Sequence, residues 1–347
     1  MILSPVVLTG ATGYLGSHIL TQLLEKEYEV RITTRSLAKT QKEELILKLQ
    51  EKYPNKLSIY EADLLEEGSY DDVMKGAKSL IHTASPFKIE GIKNPKKELV
   101  DPAVIGTRNV LNAASKGDIE RVIQTSSIVA VYGDAIDVEM IEGDAFSEKN
   151  WNATSSISHQ PYNYSKTVAE KEALALSLTS TWSLVSINPG FILGPSLTKR
   201  TDSTSIDFML NLLNGKMAMG MPELYFGVVD VRDVAKAHIM ALENTALKGR
   251  FICSNKSMTM LEMSNILRQE FGKAYKIGSK VLPKFLFYLL GPIMAGLSWS
   301  YVKKNIGIPL KFDNTRSKEE LGMEYRPVEE TILDHAHQLI NDGILKK

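Results

Sequence analysis

A tyrosine and a lysine at helical spacing are the residues of this sequence best suited to proton transfer. Tyr162 and Lys166 lie in a predicted helix, where residues four apart share one face. A free phenol titrates at about pH 10, and a neighbouring ammonium group stabilises the phenolate. We therefore expect Lys166 to lower the pKa of Tyr162 towards neutrality, so that Tyr162 can exchange a proton with a substrate. Tyr164 has no lysine four residues further on and is not a candidate.

A hydroxyl group at the end of a predicted strand should complete this centre. Thr125, Ser126 and Ser127 end the fifth predicted strand, and a hydroxyl there can polarise a carbonyl oxygen by donating a hydrogen bond. Side chains alternate along a strand, so Ser126 and Ser127 face opposite ways. This pattern leaves open which of them faces the substrate, and either one alone could be a strand-end cap.

Three glycines at a spacing of three predict a phosphate-binding turn close to the N-terminus. They follow an apolar strand and precede a helix with apolar periodicity. Glycine leaves no Cβ where the backbone meets a pyrophosphate, and the N-terminus of the helix directs its N–H groups to the same place. The predicted cofactor contacts in this turn are Gly10, Thr12, Gly13, Tyr14, Leu15 and Gly16.

The end of the second predicted strand indicates which dinucleotide is bound. A site for NAD has an acidic residue there, which accepts a hydrogen bond from the ribose 2′-hydroxyl. This sequence instead has Arg35, whose guanidinium group fits a 2′-phosphate. Lys39 and Lys42 follow on the same side of the next predicted helix. We therefore expect NADP(H), and the alternative is a solvated basic loop.

Residues after the third and fourth strands should line the rest of the cofactor. Asp63, followed by Leu64, can accept from an adenine amino group or cap the next helix, and both interpretations stay open. His82 is predicted to be a packed strand histidine rather than a catalytic residue. The small side chains after it would let the backbone approach a ribose, whose hydroxyls Lys166 can also hold. These small residues are Thr83, Ala84 and Ser85.

Strands and helices alternate through the first half of the chain and position these residues. Strands are predicted at 6–9, 29–34, 57–60, 79–83, 122–126 and 183–188. The main helices between them are predicted at 14–25, 36–50, 95–116 and 162–178. Such alternation predicts right-handed crossovers and an α/β fold with a Rossmann-type, doubly wound parallel sheet.

The second half breaks this rhythm and should add a smaller, mostly C-terminal substrate-binding lobe. We predict an NADP-binding domain at 1–190, with 225–254 returning to the sheet, and a lobe formed by 191–224 and 255–347. The stretch 281–302 is rich in apolar residues but contains Lys284, two prolines and two glycines. A buried or groove-lining helix pair is the simplest interpretation, with contact to a membrane surface as the alternative and no membrane-spanning helix.

Composition excludes several other classes of protein. The 347 residues include 41 acidic and 41 basic side chains, a balance that does not favour a nucleic-acid partner. Cys253 is the single cysteine, which excludes an internal disulfide and a cysteine-rich metal site, and no metal is predicted. The N-terminus lacks the features of a signal peptide. We expect a cytoplasmic protein that binds a small-molecule carbonyl or alcohol.

Taken together, these motifs resemble those of the extended short-chain dehydrogenase/reductases. Within that family the chain is most similar to the dihydroflavonol reductase, cinnamoyl-CoA reductase and NADPH-dependent aldehyde or ketone reductase branch, through 30–35, 82–87 and 230–235. The resemblance implies a triad of Ser127, Tyr162 and Lys166, and a 2′-phosphate held by Arg35. It also implies further contacts near the nicotinamide, at Pro189, Gly190 and Ile192.

The resemblance also implies a reaction, hydride transfer from the nicotinamide to a carbonyl carbon with Tyr162 protonating the oxygen. The plant enzymes use a polar residue just after the serine pair to set flavonoid choice, whereas 128–132 here is largely apolar, which argues against a flavonoid. Alternatives are a 3β-hydroxysteroid dehydrogenase-like enzyme, a nucleotide-sugar dehydratase or epimerase, and a non-catalytic NADP sensor. The chain could be a monomer or a homodimer.

Overall fold

A seven-stranded parallel sheet forms the larger part of the computed structural model, which describes residues 4–85, 92–294 and 297–345. Its strand order is β3-β2-β1-β4-β5-β6-β9, and every neighbouring pair is parallel. The strands are β1 Val6–Thr9, β2 Val30–Thr34, β3 Leu57–Glu61, β4 Ser79–His82, β5 Arg121–Thr125, β6 Ser183–Pro189 and β9 Gly249–Cys253. This arrangement confirms the predicted Rossmann-type fold.

Helices cover both faces of this sheet, which explains why its strands are almost continuously apolar. Helices α1, Tyr14–Glu25, and α8, Val231–Glu243, pack with Val6 and Leu8 of β1 on one face. Helices α5, Asp101–Lys116, and α6, Pro161–Ser177, pack with Val7 on the other. A π-helical turn at Lys96–Val100 precedes α5. The two cores are thus separated by the sheet, and alternate residues of each strand serve opposite sides.

The segment predicted as one charged helix after β2 forms two helices. These are α2, Leu37–Thr40, and α3, Glu44–Lys52, and a further short helix, α4, spans Asp71–Met74. The buried Thr40 hydroxyl lies 2.7 Å from the hydroxyl oxygen of Thr34 and so ties the end of α2 to β2. The chain then begins a new helix, whose Ile46 is buried against the core.

A second, three-stranded sheet corrects one sequence-based prediction. It has the order β10-β8-β7, formed by β7 Phe191–Leu193, β8 Tyr225–Asp230 and β10 Lys256–Thr259. The segment 225–254 was predicted to return to the main sheet, but only β9 does so. Strand β6 leads directly into β7 through Gly190, where an added Cβ would lie 2.1 Å from the carbonyl oxygen of Gly227. This close backbone approach pairs β8 with β7 instead.

The remaining helices pack around the smaller sheet or continue the C-terminal lobe. They are α7 Thr204–Leu213, α9 Met260–Phe271, α10 Lys284–Met294, α11 Trp299–Asn305, α12 Thr315–Glu319 and α13 Val328–Asn341. Helices α7, α9 and α13 share a separate apolar core with β7 and β8. A reciprocal capping box between Thr259 and Glu262 begins α9, which explains why the helix starts there.

The apolar stretch 281–302 contains the expected helix pair, α10 and α11, but three of its large side chains are exposed, which contradicts full burial and leaves the groove-lining alternative open. Phe285, Leu289 and Trp299 are 60%, 67% and 68% exposed. Both helices are short, and each leaves at least one large apolar side chain exposed. Within the described ranges, no helix is long and apolar enough to cross a membrane.

Candidate active site

The glycine turn forms a cradle that only residues without a side chain can build. Gly10 has a left-handed φ of +73°, and an added Cβ on Gly16 would lie 2.0 Å from the Gly10 carbonyl oxygen. Gly13 donates its N–H to the same oxygen at 3.0 Å and is the N-cap of α1. The first turn of α1, which is fully described, has no acidic side chain and no side-chain cap. It can therefore direct its N–H groups to a pyrophosphate.

The residues after β4 lie directly against this cradle. An added Cβ on Gly10 would lie 2.6 Å from the Thr83 hydroxyl oxygen and 2.9 Å from the Ala84 nitrogen. Thr83 donates its hydroxyl to the carbonyl oxygen of Thr9, and Ala84 donates its N–H to the Thr9 hydroxyl. The predicted cofactor contacts on β1 and β4 are thus neighbours in space, held by two hydrogen bonds.

The Tyr14 side chain does not face the cradle. Its hydroxyl donates to the carbonyl oxygen of Gly194 at 2.5 Å, and its ring stacks on His335. Burial and the charge of Asp230 raise the pKa of this phenol well above its usual value. Leu15 packs into the core beneath the sheet. The side chains of both residues therefore bind the helix to the rest of the protein, and only their backbone would be left for a cofactor.

Exposed cations surround the end of β2. Arg35 follows this strand directly and is solvent-exposed, and Lys39 lies in α2. Lys42 is also exposed, but it lies beyond the end of α2. The prediction that Lys42 belongs to the same helix as Lys39 is therefore wrong. The nearby Glu61 carboxylate accepts the N–H of Leu37 at 3.0 Å and thereby caps α2. This edge of the sheet therefore suits a phosphate better than a neutral ribose.

Asp63 and Leu64 have visible local roles. One Asp63 carboxylate oxygen accepts the N–H of Leu65 at 2.8 Å and so stabilises a turn. The next helix, α4, has Tyr70 as its N-cap, so the predicted capping of that helix by Asp63 is wrong. The side chain of Leu64 packs against Gly106 of α5, and its carbonyl oxygen accepts a hydrogen bond from Asn109. The second carboxylate oxygen of Asp63 keeps the adenine interpretation open.

Helix α6 carries the tyrosine and lysine, and burial governs the pKa of both. Burial raises the pKa of Tyr162 to about 12. Burial lowers the pKa of Lys166 to about 8, against the opposing effect of the Glu170 carboxylate. The expected lowering of the phenol pKa by Lys166 is therefore wrong, because desolvation of the phenolate dominates. Tyr162 consequently holds its proton at neutral pH.

A shallow pocket joins Lys166 to the residues that end β4 and β5. The lining residues come from four segments of the chain, which together span more than eighty residues of sequence. Its lining residues are His82, Ala84, Ser85, Thr107, Gln124, Thr125, Ser126, Lys166 and Ala169. The pocket thus lies at the carboxyl edge of the sheet, where ligands bind in open α/β folds.

His82 is confirmed as a packed strand histidine. Its side chain is buried, and Nδ1 lies 2.8 Å from the Thr9 hydroxyl oxygen. Burial and the positive charge of Lys166 lower the pKa of His82 to about 3. The imidazole therefore stays neutral at working pH and helps to hold β4 against β1.

The two serines after β5 have different surroundings. Ser126 is buried and donates its hydroxyl to the Glu170 carboxylate at 2.5 Å. Ser127 is partly exposed, and its hydroxyl oxygen accepts the N–H of Val129 at 3.3 Å, which leaves its proton for another acceptor. Strand alternation thus separates a structural hydroxyl from one that can face a ligand.

The segment after β6 lies beside Ser127. Asn188 donates its amide to the Ser127 carbonyl oxygen at 3.0 Å, and Pro189 ends the strand. Gly190 donates its N–H to the carbonyl oxygen of Cys253, and Ile192 lies in β7. These residues share the carboxyl edge of the sheet with the serine.

Sequence reasoning missed a buried acid one helical turn beyond Lys166. Glu170 binds Ser126, Asn188 and Arg250, which come from three different segments of the chain. The available signal was its spacing, because Tyr162, Lys166 and Glu170 recur every four residues along one helix. Among the described residues, no group of histidine, cysteine or acidic side chains could hold a metal ion.

Comparisons with known proteins identify relatives of this architecture. A family model described as the NAD dependent epimerase/dehydratase family matches residues 6–252. A cinnamoyl-CoA reductase of Medicago truncatula is 37% identical over 268 residues, which cover 76% of this chain and 80% of the relative.

Two solved structures resemble the whole chain. Gre2 of Candida albicans in complex with NADPH has a TM-score of 0.78 and 32% identity, covering 97% of this chain and 98% of its own. The yeast methylglyoxal/isovaleraldehyde reductase Gre2, complexed with NADPH, also has a TM-score of 0.78, with 29% identity and coverage of 98% and 99%.

Proposed function

Because the chain belongs to the NAD dependent epimerase/dehydratase family and is an NADP-dependent oxidoreductase, we propose that it reduces an aldehyde or ketone with Ser127, Tyr162 and Lys166. The observation that carries this proposal is the position of the buried Lys166 at the ends of β4 and β5, beside the glycine cradle. A protein that only sensed the cofactor would need the cradle but no proton donor.

The residues of this chain fit the cofactor at two places. The cradle of Gly10, Gly13 and Gly16 leaves room for a pyrophosphate, and Arg35 stands where a 2′-phosphate would be recognised. When bound, NADPH supplies the hydride. Lys166, with its buried ammonium group, would hold ribose hydroxyls at the nicotinamide end.

The proposed chemistry assigns one task to each polar side chain. Ser127 donates a hydrogen bond to the substrate carbonyl oxygen and polarises it. As hydride reaches the carbonyl carbon, the oxygen gains negative charge and takes the proton of the Tyr162 hydroxyl. The raised pKa of Tyr162 suits this direction, because the phenol stays protonated until a strongly basic alkoxide develops. Lys166 then stabilises the phenolate that remains.

The substrate is proposed to be a carbonyl compound with an apolar body. Ile128 and Val131, just after the serine pair, are buried in an apolar cluster. Tyr132 lies within 5.3 Å and 5.4 Å, centroid to centroid, of the rings of Phe146 and Phe312. The segment that follows Ser127 is therefore apolar and does not provide the cations that a second pyrophosphate would require. The name of the yeast relative, methylglyoxal/isovaleraldehyde reductase, is consistent with this class.

The test is an assay of NADPH oxidation by the purified protein. The panel contains aliphatic and aromatic aldehydes, diketones, hydroxysteroids with NADP⁺ in the reverse direction, and nucleotide sugars. We expect turnover with at least one aldehyde or ketone, and a preference for NADPH over NADH. NADPH binding without oxidation by any carbonyl compound would instead support a sensor. Turnover confined to steroids or nucleotide sugars would overturn the proposed substrate class.

A further inference from the structure

A buried acid lies immediately behind the proposed triad. The Glu170 side chain is 1% exposed, and both of its carboxylate oxygens are engaged. Arg250 donates Nε to Oε1 at 2.7 Å, whereas Ser126 and Asn188 donate to Oε2 at 2.5 Å and 2.8 Å. An ion pair that served only to neutralise Arg250 would not need two neutral donors on the second oxygen.

The second oxygen of Glu170 leads directly to the backbone of Ser127. The Asn188 amide nitrogen donates both to Glu170 Oε2 and to the Ser127 carbonyl oxygen, at 2.8 Å and 3.0 Å. Ser126, the preceding residue, is held by the same carboxylate oxygen. Two consecutive residues at the end of β5 are therefore fixed by one carboxylate. Their position sets where the Ser127 hydroxyl meets a substrate.

The same carboxylate acts on Lys166 through its charge. Glu170 follows Lys166 by one helical turn, and its negative charge opposes the fall in the lysine pKa that burial causes. The other titratable groups near Lys166 are His82 of β4, which stays neutral, and Tyr162 on the same helix. Arg250 forms an ion pair with the same carboxylate, with Nε 2.7 Å from Oε1.

We propose that Glu170 is a positioning residue of the reductase centre, which holds Ser127 in place through Asn188 and places a negative charge one helical turn from Lys166. The proposal rests on the proposed reductase function. It gives the buried acid two tasks that a purely structural ion pair would not have. Arg250 in turn holds the Glu170 carboxylate in place. It donates hydrogen bonds to the carbonyl oxygens of Glu148 and Asn150 and stacks over the ring of Trp151 at 3.8 Å.

The test compares two variants that disturb packing similarly but differ in charge. Glu170→Gln keeps the length of the side chain and removes its charge, whereas Glu170→Asp keeps the charge and shortens the side chain. We measure the melting temperature, the pH profile of kcat, and the NADPH dissociation constant across the same pH range. We expect both variants to melt at lower temperature. Only Glu170→Gln should move the alkaline limb of both profiles, by about one pH unit downwards.

The direction of that shift follows from the charge. Without the carboxylate, Lys166 loses its proton at lower pH, so activity and cofactor affinity fall earlier as the pH rises. If the two variants melt at lower temperature but leave the alkaline limb where it is in the wild type, Glu170 is a structural residue and the proposal is wrong. A wild-type protein without carbonyl-dependent NADPH oxidation would instead refute the proposed function.

Asn188→Ala tests the second task and is decisive if Glu170→Gln does not fold. Removing the bridging amide should let Ser127 shift, which we expect to lower kcat by about tenfold. The NADPH dissociation constant and the pH of the alkaline limb should stay at wild-type values, because the charge of Glu170 is kept. An unchanged kcat would contradict the proposed support of Ser127.

Discussion

The glycine cradle and the start of α6 lie at the same edge of one sheet but are built in opposite ways. The cradle works through absent side chains, since a Cβ on Gly16 would lie 2.0 Å from the Gly10 carbonyl oxygen. Helix α6 is proposed to work through the side chains of Tyr162 and Lys166, whose pKa values depend on burial. Pyrophosphate binding and proton transfer should therefore fail separately when Gly16 and Tyr162 are altered.

The largest expected effect is on the cradle. In Gly16→Ala the new methyl group would also lie 2.7 Å from the Gly10 carbonyl carbon, so the backbone of the turn must move. We expect the free energy of unfolding to fall by about 3 kcal/mol. The NADPH affinity should weaken by at least about 100-fold, or about 2.7 kcal/mol. Denaturant unfolding and fluorescence titration with NADPH measure the two effects.

Gly143→Ala is the matched control. Gly143 has a φ of +86°, and no described atom would lie within 4 Å of its added Cβ. We expect a loss of about 1 kcal/mol of stability from backbone strain and unchanged NADPH affinity. Equal loss of NADPH affinity in both variants would show that the cradle has no special role.

The second effect concerns cofactor choice rather than cofactor binding as such. Arg35→Asp removes a cation from the end of β2 and provides an acceptor for a ribose hydroxyl. We expect the preference for NADPH over NADH to fall by about 10- to 100-fold, as the loss of a charge-assisted hydrogen bond predicts. Ratios of kcat/KM for the two cofactors measure it.

Lys78→Asp makes the same change of net charge at the amino end of β4, where Lys78 pairs with Glu120. It should leave the cofactor ratio unchanged. If Arg35→Asp left the ratio unchanged as well, the 2′-phosphate would be recognised elsewhere.

The third effect is a pH dependence of turnover that arises from helix α6 and not from the glycine cradle. The pKa of Lys166 is about 8, below its usual value, so its positive charge is present at neutral pH and is lost as the pH rises through 8. Turnover that needs this charge should fall by up to about tenfold per pH unit above that value. Tyr162 stays protonated and His82 stays neutral in this range. The range from about pH 7 to about pH 10 includes the lowered pKa of Lys166 and approaches the usual lysine pKa. A flat profile of kcat over this range would contradict the role of the Lys166 charge in turnover.

The smallest effect tests whether Asp63 contacts the adenine in addition to its hydrogen bond with Leu65. In Asp63→Asn a side-chain oxygen can still accept the N–H of Leu65, so the melting temperature should not change. If the carboxylate also accepts from the adenine amino group, the NADPH affinity should fall by about threefold. Calorimetric titration measures this change. Unchanged affinity would leave the turn hydrogen bond to Leu65 as the role of the Asp63 side chain.

The contrast between the two regions also explains what could be read from the sequence. The cradle is local, since its three glycines lie within seven residues and directly follow a strand. The strands and most helices were predictable for the same reason, because periodicity and capping act over short distances. Tyr162 and Lys166 were recognisable from one helical turn.

Long-range contacts could not be read in this way. Strand β8 has the apolar character of either sheet, and its pairing with β7 depends on the close approach of Gly190 and Gly227. The surroundings of Ser126 and Ser127 depend on Glu170, which lies more than forty residues further along the chain. The pKa of Tyr162 depends on burial, which residue spacing does not reveal.

The most direct test of the central claim is Tyr162→Phe, measured for both turnover and cofactor binding. Phenylalanine keeps the ring in place and removes the hydroxyl that is proposed to donate the proton. We expect carbonyl-dependent NADPH oxidation to fall by at least about 100-fold, while the NADPH dissociation constant stays at the wild-type value. Turnover close to that of the wild type would contradict the assignment of Tyr162 as the proton donor.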